Sequence, residues 1–387
     1  MDTIESPRQA GRGDVKDFVH TGPGTLAGRF LRQFWLPVYV GENLPKGRAV
    51  PLAVLGEDFT LYRGESGTPH IVGPRCSHRK TRLHTGWVQG DNVACHYHGW
   101  TYNALGECVS RPAEIPSSRA PKADIAAYAI REHLGLIYAY FGEGEPVEFP
   151  ALQFDGEGFV DNSVDEFPIN YFQCVENTAD EVHASFAHNG GGIHQEMSAI
   201  PQMSVEETEY GMLRTGQRQG APVRLSIHVF PSTVRVIVPG LNGLPRETGW
   251  RDSYLSVVPK DDQTCYFFRT QQVRVTGAGV DEFIAAREVY RKRIALEPAA
   301  ADVAREILEG RKTLADAKNH PRLAVVEDLV AQGGQGRIAD RNDEMLGRSD
   351  LALVMLRRLY SREMAAIAEG RPTKQWRYRG DPPAAGF

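Results

Sequence analysis

The chain has 387 residues, 41% apolar and 24% charged, an ordinary globular composition with enough apolar material for a sizeable core. Its 44 basic and 49 acidic side chains leave a formal charge of −5, which excludes the basic footprint of a general nucleic-acid binder. No apolar run reaches the roughly 18 residues of a spanning helix (Leu351 to Leu356 is among the longest), and no secretory apolar segment opens the chain.

In chain order, residues 1–29 read as an N-terminal arm, polar and Gly-rich over its first 24 residues and expected to be loosely held. From Phe30 to Phe141 short β-rich runs alternate with turn residues, among them Trp35 to Val40, Phe59 to Tyr62 and Gly135 to Phe141. That spacing predicts a small all-β domain over 30–143. Gly142 to Pro150 has linker composition, which sets the linker at 144–150 and a second domain at 151–387. In that domain Glu176 to His188 reads as one helix stopped by Asn189 and the three glycines after it. Strand-like runs follow at Val223 to Phe230, Thr233 to Val238 and Tyr254 to Val258, and helices dominate from about Val280. The last helix is expected from Ser349, as its cap, to Gly370. The fold class is α+β, an all-β domain followed by an antiparallel sheet flanked by helices.

Two short loops carry the first chemistry. Cys76-Ser-His78 and Cys95-His-Tyr-His98 each offer one thiolate and one imidazole, with His96 as a bystander. A Cys₂His₂ zinc site is the plain alternative, but one residue between Cys76 and His78 is shorter than the usual zinc-loop spacing of about 2–4. Both loops repeat the order Cys then His. One iron can therefore take both thiolates and a second iron both imidazoles, as a Rieske [2Fe–2S] centre requires. The five cysteines, an odd number, do not read as a disulfide framework; Cys108, Cys174 and Cys265 are read as buried small hydrophobes in a reduced, cytoplasmic protein.

The second constellation is Asn177, Asp180 and His183, at helical spacings of three, followed by His188. Five residues separate the histidines, an offset of about 140° on a regular helix, so they converge only if the helix loosens or ends between them. Two imidazoles and a distant carboxylate make the facial triad of mononuclear non-haem Fe(II). Candidate carboxylates far along the chain are Glu327, Asp328, Asp340, Asp343 and Glu344, with Asp340, Arg341 and Asp343 otherwise a solvated ion-pair patch. Arg214, Arg218, Arg224 and Arg235 could hold a substrate carboxylate, against the plainer reading of a solvent-facing sheet surface.

Pro74 to Arg79, Leu83, Gly86 and Cys95 to Tyr102 resemble the cluster loops of Rieske domains. Together with Asn-x-x-Asp-x-x-His-x-x-x-x-His over 177–188, the pattern resembles the large subunits of Rieske non-haem iron oxygenases. Glu327 to Gln332 and Gly336 to Asp350 resemble the phthalate-dioxygenase-like branch, as does Val258 to Asp262, where Lys260 departs from the usual residue. The resemblance implies that Cys76, His78, Cys95 and His98 bind the cluster, and that His183, His188 and Asp328 bind iron, with Glu327 the rival of Asp328. It also implies that Asp180, with Asn177 nearby, links His183 to the cluster ligand His98 of a neighbouring copy in a homotrimer or dimer of trimers. With no dinucleotide fingerprint and no second cysteine set, electrons are expected from a separate NAD(P)H-dependent reductase of flavin or ferredoxin type. The expected activity is hydroxylation or oxidative demethylation of an aromatic, often carboxylated, substrate with O₂. The alternative is a Rieske electron carrier with a non-catalytic docking domain.

Overall fold

The computed structural model describes residues 14–114, 122–188, 197–239 and 249–380. After a short helix α1 (Leu26–Leu31), the β-rich runs become β1 (Trp35–Val40), β2 (Ala49–Val54), β3 (Glu57–Arg63), β4 (Pro69–Val72), β5 (Trp87–Gln89), β6 (Asn92–Ala94), β7 (Thr101–Tyr102), β8 (Cys108–Ser110), β9 (Ala127–His133) and β10 (Leu136–Tyr140). They pair antiparallel as a six-stranded sheet in the order β1-β10-β9-β4-β3-β2 and a four-stranded sheet β5-β6-β7-β8. The small sheet and the loops around it bury their own core, in which Cys76, Leu83, Val93, Cys95, Trp100 and Tyr102 pack together.

The second half opens with β11 (Phe159–Phe167), α2 (Tyr171–Ala179) and α3 (His183–Phe186), then β12 (Gln202–Glu207), β13 (Gly211–Gln217), β14 (Arg224–Val229), β15 (Thr233–Pro239), β16 (Trp250–Pro259) and β17 (Cys265–Val273). These strands form a seven-stranded antiparallel sheet, β11-β17-β16-β15-β14-β13-β12. Helices α4 (Ala278–Ile294), α5 (Ala300–Leu308), α6 (Leu323–Gly333) and α7 (Leu351–Ala368) follow. An α+β chain with an all-β first half is what the residue pattern predicts.

Four expectations are corrected. The arm is not loose from residue 14 onward. Phe18 is buried and stacks on Phe172 at 4.7 Å, and the Thr21 amide donates to Asp262 Oδ1 at 3.0 Å. Val15 packs on the same core and Asn170 Nδ2 donates to the Val19 carbonyl at 3.1 Å, so several contacts together hold this polar stretch. Second, Phe30 lies in the last turn of a helix instead of starting the β-rich region: Thr25 caps α1 by accepting from the Gly28 amide at 3.1 Å. Third, α7 begins at Leu351 with Asp350, not Ser349, at its N-cap position; no side chain caps it, and the Asp350 carboxylate instead accepts from the Gly347 amide at 2.6 Å in the preceding turn. Its far end is as expected, with Gly370 at φ +68° where a side chain would be strained.

The fourth correction positions the site. The segment 176–188 is not one helix. Asn170 caps α2 through its Oδ1, which accepts from the Phe172 amide at 3.0 Å, and α2 stops at Ala179. Asp180 has extended backbone (φ −87°, ψ 110°), and its Oδ1 accepts from the amides of Val182 (2.8 Å) and His183 (3.2 Å). A side chain that satisfies the first amides of a new turn starts a new helix, and α3 leaves at a fresh angle. The glycine run expected to stop the helix lies outside the described residues.

Candidate active site

The two Cys–His loops are near copies of each other. Lys80 N donates to Cys76 O and Gly99 N to Cys95 O, each at 2.9 Å. The fourth residue after each cysteine has positive φ, +61° at Lys80 and +71° at Gly99. At residue 99 a Cβ would lie 2.8 Å from the Pro112 ring, so glycine is required there. The turns bring the His78 and His98 rings to 4.6 Å, with Trp100 stacked on His78 at 4.8 Å. Cys76 and Cys95 are buried in hydrogen-bond contact, and the Tyr97 and His98 amides donate to the Cys95 sulfur. Burial, with Cys76 beside it, pushes the Cys95 thiol up. Tyr102 Oη lies 3.2 Å from Cys76 Sγ and 2.9 Å from Ser77 Oγ. His98 Nδ1 is buried without a partner among the described residues, an orphaned lone pair that a metal would satisfy. Two thiols, two imidazoles and amides aimed at sulfur fit a Rieske cluster. Exposed His96 pairs instead with Thr85 Oγ1 at 2.9 Å.

The break at Asp180 turns His183 toward His188, with ring centroids 5.4 Å apart. Helix α6 places Asp328 between them: its Oδ1 is 3.7 Å from His183 Nε2 and 3.5 Å from His188 Nε2. Their ligand atoms all lie within 4.8 Å of one another. Those gaps are too long for hydrogen bonds and suit an ion bonded to each atom at roughly 2 Å. The outer nitrogens are already engaged. His183 Nδ1 donates to the main-chain carbonyl of Asp180 at 2.5 Å, and His188 Nδ1 meets Glu327 Oε2 at 2.9 Å. This fixes both rings with Nε2 facing inward, the arrangement that supports metal-ligating histidines. Asn177 Nδ2 donates to Asp328 Oδ1 at 3.1 Å. The triad fits a mononuclear iron with open positions.

Burial disfavours charge on His188, but Asp328 and Glu327 outweigh it and raise the group to about 9. Asp328 moves the opposite way: despite burial, His188, His183 and Asn177 hold it below the usual carboxylate range. The three groups line one wall of a cavity of about 240 Å³ whose other walls include Val234, Val236, Leu255 and Phe267.

Some expected roles shift. Asp180 meets His183 through its carbonyl, while its carboxylate Oδ2 stays 4.0 Å from Nδ1. Glu327 is brought to His188, on the side away from Asp328. The arginines are not a solvent-facing surface: Arg214, Arg218 and Arg235 are buried and Arg224 is largely so. Arg235 pairs with Asp252, while Arg214, Arg218 and Arg224 converge on buried Glu181, which no motif singled out. Arg341 is not in a solvated patch either; it pairs with buried Glu176 at 2.6 Å, whereas Asp340 is exposed. Cys174 and Cys265 are buried with sulfurs 3.4 Å apart, but Cys108 is only half-buried, on a sheet edge.

Residues 34–128 match the Rieske [2Fe–2S] domain family. The 5,5'-dehydrodivanillate O-demethylase oxygenase subunit of Sphingobium sp. is 28% identical over 91% of this chain and 80% of its own length. The phthalate 4,5-dioxygenase oxygenase subunit of Pseudomonas putida is 26% identical over 89% of this chain and 83% of its own. The oxygenase of carbazole 1,9a-dioxygenase, solved in its reduced complex with ferredoxin, shares the fold at a TM-score of 0.63 and 18% identity, covering 92% of this chain and 97% of that one. Among the described residues no helix is long and apolar enough to cross a membrane. The cofactors are a Rieske [2Fe–2S] cluster and a mononuclear iron. With relatives named as oxygenase subunits along about nine-tenths of its length and a Rieske [2Fe–2S] domain at its start, the chain is an enzyme similar to the Rieske non-haem iron oxygenases.

Proposed function

We propose that this chain is the terminal oxygenase of a multicomponent system, hydroxylating or oxidatively demethylating an aromatic substrate with O₂ and electrons from a separate NAD(P)H-dependent reductase. Cys76, His78, Cys95 and His98 hold the cluster; His183, His188 and Asp328 hold the iron. When bound, the cluster relays single electrons and the iron activates dioxygen. The chain's own residues do the positioning. Asp180 and Glu327 fix the two rings from behind, Asn177 steadies Asp328, and the valine and phenylalanine walls exclude water around the reacting carbon.

The single observation that carries this reading is the convergence of two imidazole Nε2 atoms and one carboxylate oxygen at the wall of a largely apolar cavity. An electron carrier has no use for such a set. Within the proposal the working form is a trimer, in which Asp180 of one copy meets His98 of the next and joins the cluster of one subunit to the iron of its neighbour. A separate electron donor is supported by the ferredoxin complex of the carbazole enzyme and by the names of the relatives, which are oxygenase subunits. The test is O₂ uptake by iron-loaded protein with a surrogate reductase, NADH and a panel of substituted aromatics. Uptake coupled to an oxygenated or demethylated product, and abolished in Asp328→Ala, supports the proposal. Reduction of the cluster without substrate-dependent uptake would reduce the chain to a carrier.

A further inference from the structure

The register of the small sheet sets an arginine against a ring that touches the cluster loops. Thr101 on β7 pairs with Ser110 on β8, so the next position on each side brings Arg111 alongside Trp100. The guanidinium carbon of Arg111 lies 4.7 Å from the centre of the indole, and the same indole stacks on His78 at 4.8 Å, nearly parallel at 9°. Trp100 is 8% exposed, and its indole N–H is buried with no hydrogen-bond partner among the described residues, so stacking and packing hold the ring. The pattern recurs at His98 in more open form. Tyr97 lies against His98 with ring centres 4.0 Å apart, and Arg79 donates to Tyr97 Oη at 3.0 Å with its guanidinium carbon 5.3 Å from the ring centre. Arg79 and Tyr97 are both exposed. Each of these imidazoles thus touches an aromatic ring, and each ring carries an arginine.

A guanidinium is cationic at any working pH and is drawn to the negative face of an aromatic ring, most strongly where water is excluded. Accepting one electron breaks no bond and leaves a Rieske cluster one unit more negative, so positive charge held near its ligands favours the reduced state and raises the potential. Across Trp100 the Arg111 charge stands within about 10 Å of the His78 ring, beside a side chain that displaces water. At that range a unit charge shifts a one-electron equilibrium about two- to tenfold, between water-like and protein-like screening. The acid that senses Arg111, Asp124, is also engaged by Lys122 at 3.2 Å and by the Cys108 amide at 3.0 Å, so it does not belong to Arg111 alone. Arg79 stands in water, where salt screens it.

We infer that Arg111, acting through Trp100, is a redox-tuning residue of this chain, with Arg79 on Tyr97 a weaker second arm at His98. Together they hold positive charge against the two imidazoles and raise the cluster's potential. The electron comes from the reductase of the proposed system; the raised potential makes the cluster the better acceptor and leaves less driving force for onward transfer to the iron. The inference rests on His78 and His98 being cluster ligands, as proposed above.

Redox titration of the anaerobically purified holoprotein, read by visible absorption in about 0.01 M and about 1 M salt, tests this. Arg111→Gln is expected to shift the equilibrium about two- to tenfold toward the oxidised cluster. That is a fall of about 20 to 60 mV at about 59 mV per tenfold, most of it kept in high salt. Arg111→Lys retains the charge and should fall by less. Arg79→Gln should give a smaller fall that high salt abolishes. An unmoved or raised potential in Arg111→Gln with native cluster absorption overturns the inference, as does Arg111→Lys falling as far as Arg111→Gln. Should the glutamine variant shed its cluster, Arg111→Met, which keeps an apolar stem on the indole without the charge, is read by the same criterion. A protein with no cluster absorption fails the ligand assignment itself; normal absorption with an unmoved potential fails this inference alone.

Discussion

Glu327 and Asp328, neighbours on α6, address opposite nitrogens of one ring. Glu327 Oε2 lies 2.9 Å from His188 Nδ1, and Asp328 Oδ1 lies 3.5 Å from His188 Nε2. One residue is read as a ligand; the other sets the ligand's tautomer and direction. Glu327→Gln keeps the shape but weakens the acceptor. The expected outcome is a loss of about 10- to 100-fold in iron affinity with an unchanged cluster spectrum, checked by iron titration of the metal-depleted protein. Unaltered affinity would return Glu327 to a purely structural role.

Asp180 works through two different groups. Its carbonyl holds His183 at 2.5 Å, and its carboxylate starts α3. Asp180→Asn retains the carbonyl and a capping oxygen, so both metals are expected to stay. Within the proposed trimer, what disappears is a charged acceptor for the neighbouring copy's His98. Turnover should fall on the order of 10- to 100-fold with metal content intact, measured as product per O₂ alongside iron analysis. Normal coupled turnover would remove the bridge.

Tyr102 donates to Cys76 Sγ at 3.2 Å and is held there by Ser77. Hydrogen bonds to cluster sulfur favour the reduced, more negative state and raise the potential. Tyr102→Phe is expected to lower the cluster potential by on the order of tens of millivolts, with about 59 mV for each tenfold change in a one-electron equilibrium. A redox titration followed by visible absorption reads it; no shift, or a rise, contradicts the assignment.

Asp165 ties α6 to the sheet. It takes Arg269 from β17 and Arg322 from the residue preceding α6, the latter at 2.8 Å. Burial pushes its carboxyl up, but the two arginines outweigh this and bring it from 3.8 to about 2. A carboxylate depressed on folding adds stability above its unfolded value, lost as pH falls through the folded one. On the order of 2 kcal/mol should therefore vanish between about pH 4 and pH 2. Because Asp165 anchors the helix bearing Asp328, Asp165→Asn should flatten that part of the acid-unfolding profile, measured by urea titration across the range.

The metal-binding types were legible in the sequence because their spacing is chemical. Cys76 to His78 and Cys95 to His98 need no knowledge of the fold, whereas the histidine pair with a distant carboxylate, which zinc also accepts, points to iron only in the company of the cluster motif upstream. The choice of Asp328 over Glu327 was legible only through the family resemblance: adjacent helical residues differ by about 100°, and in physical terms the docking of α6 decides which one faces the histidines. The end of α2 at Ala179 was hidden for a related reason, since Asp180 fits a helix by spacing and breaks one by capping. Arg214 and Arg224 read as solvated because strand alternation assigns faces without saying what covers them. Phe18 shows the same limit, one of several contacts fixing a stretch whose composition looks mobile.

Whether one chain holds both a cluster and a separate iron at Asp328 is decided by iron and acid-labile sulfide analysis of anaerobically purified protein beside its Asp328→Ala variant. About three irons and two sulfides per chain are expected, falling to about two irons and two sulfides in the variant. Zinc in place of iron, or the same iron count in both proteins, would contradict that arrangement.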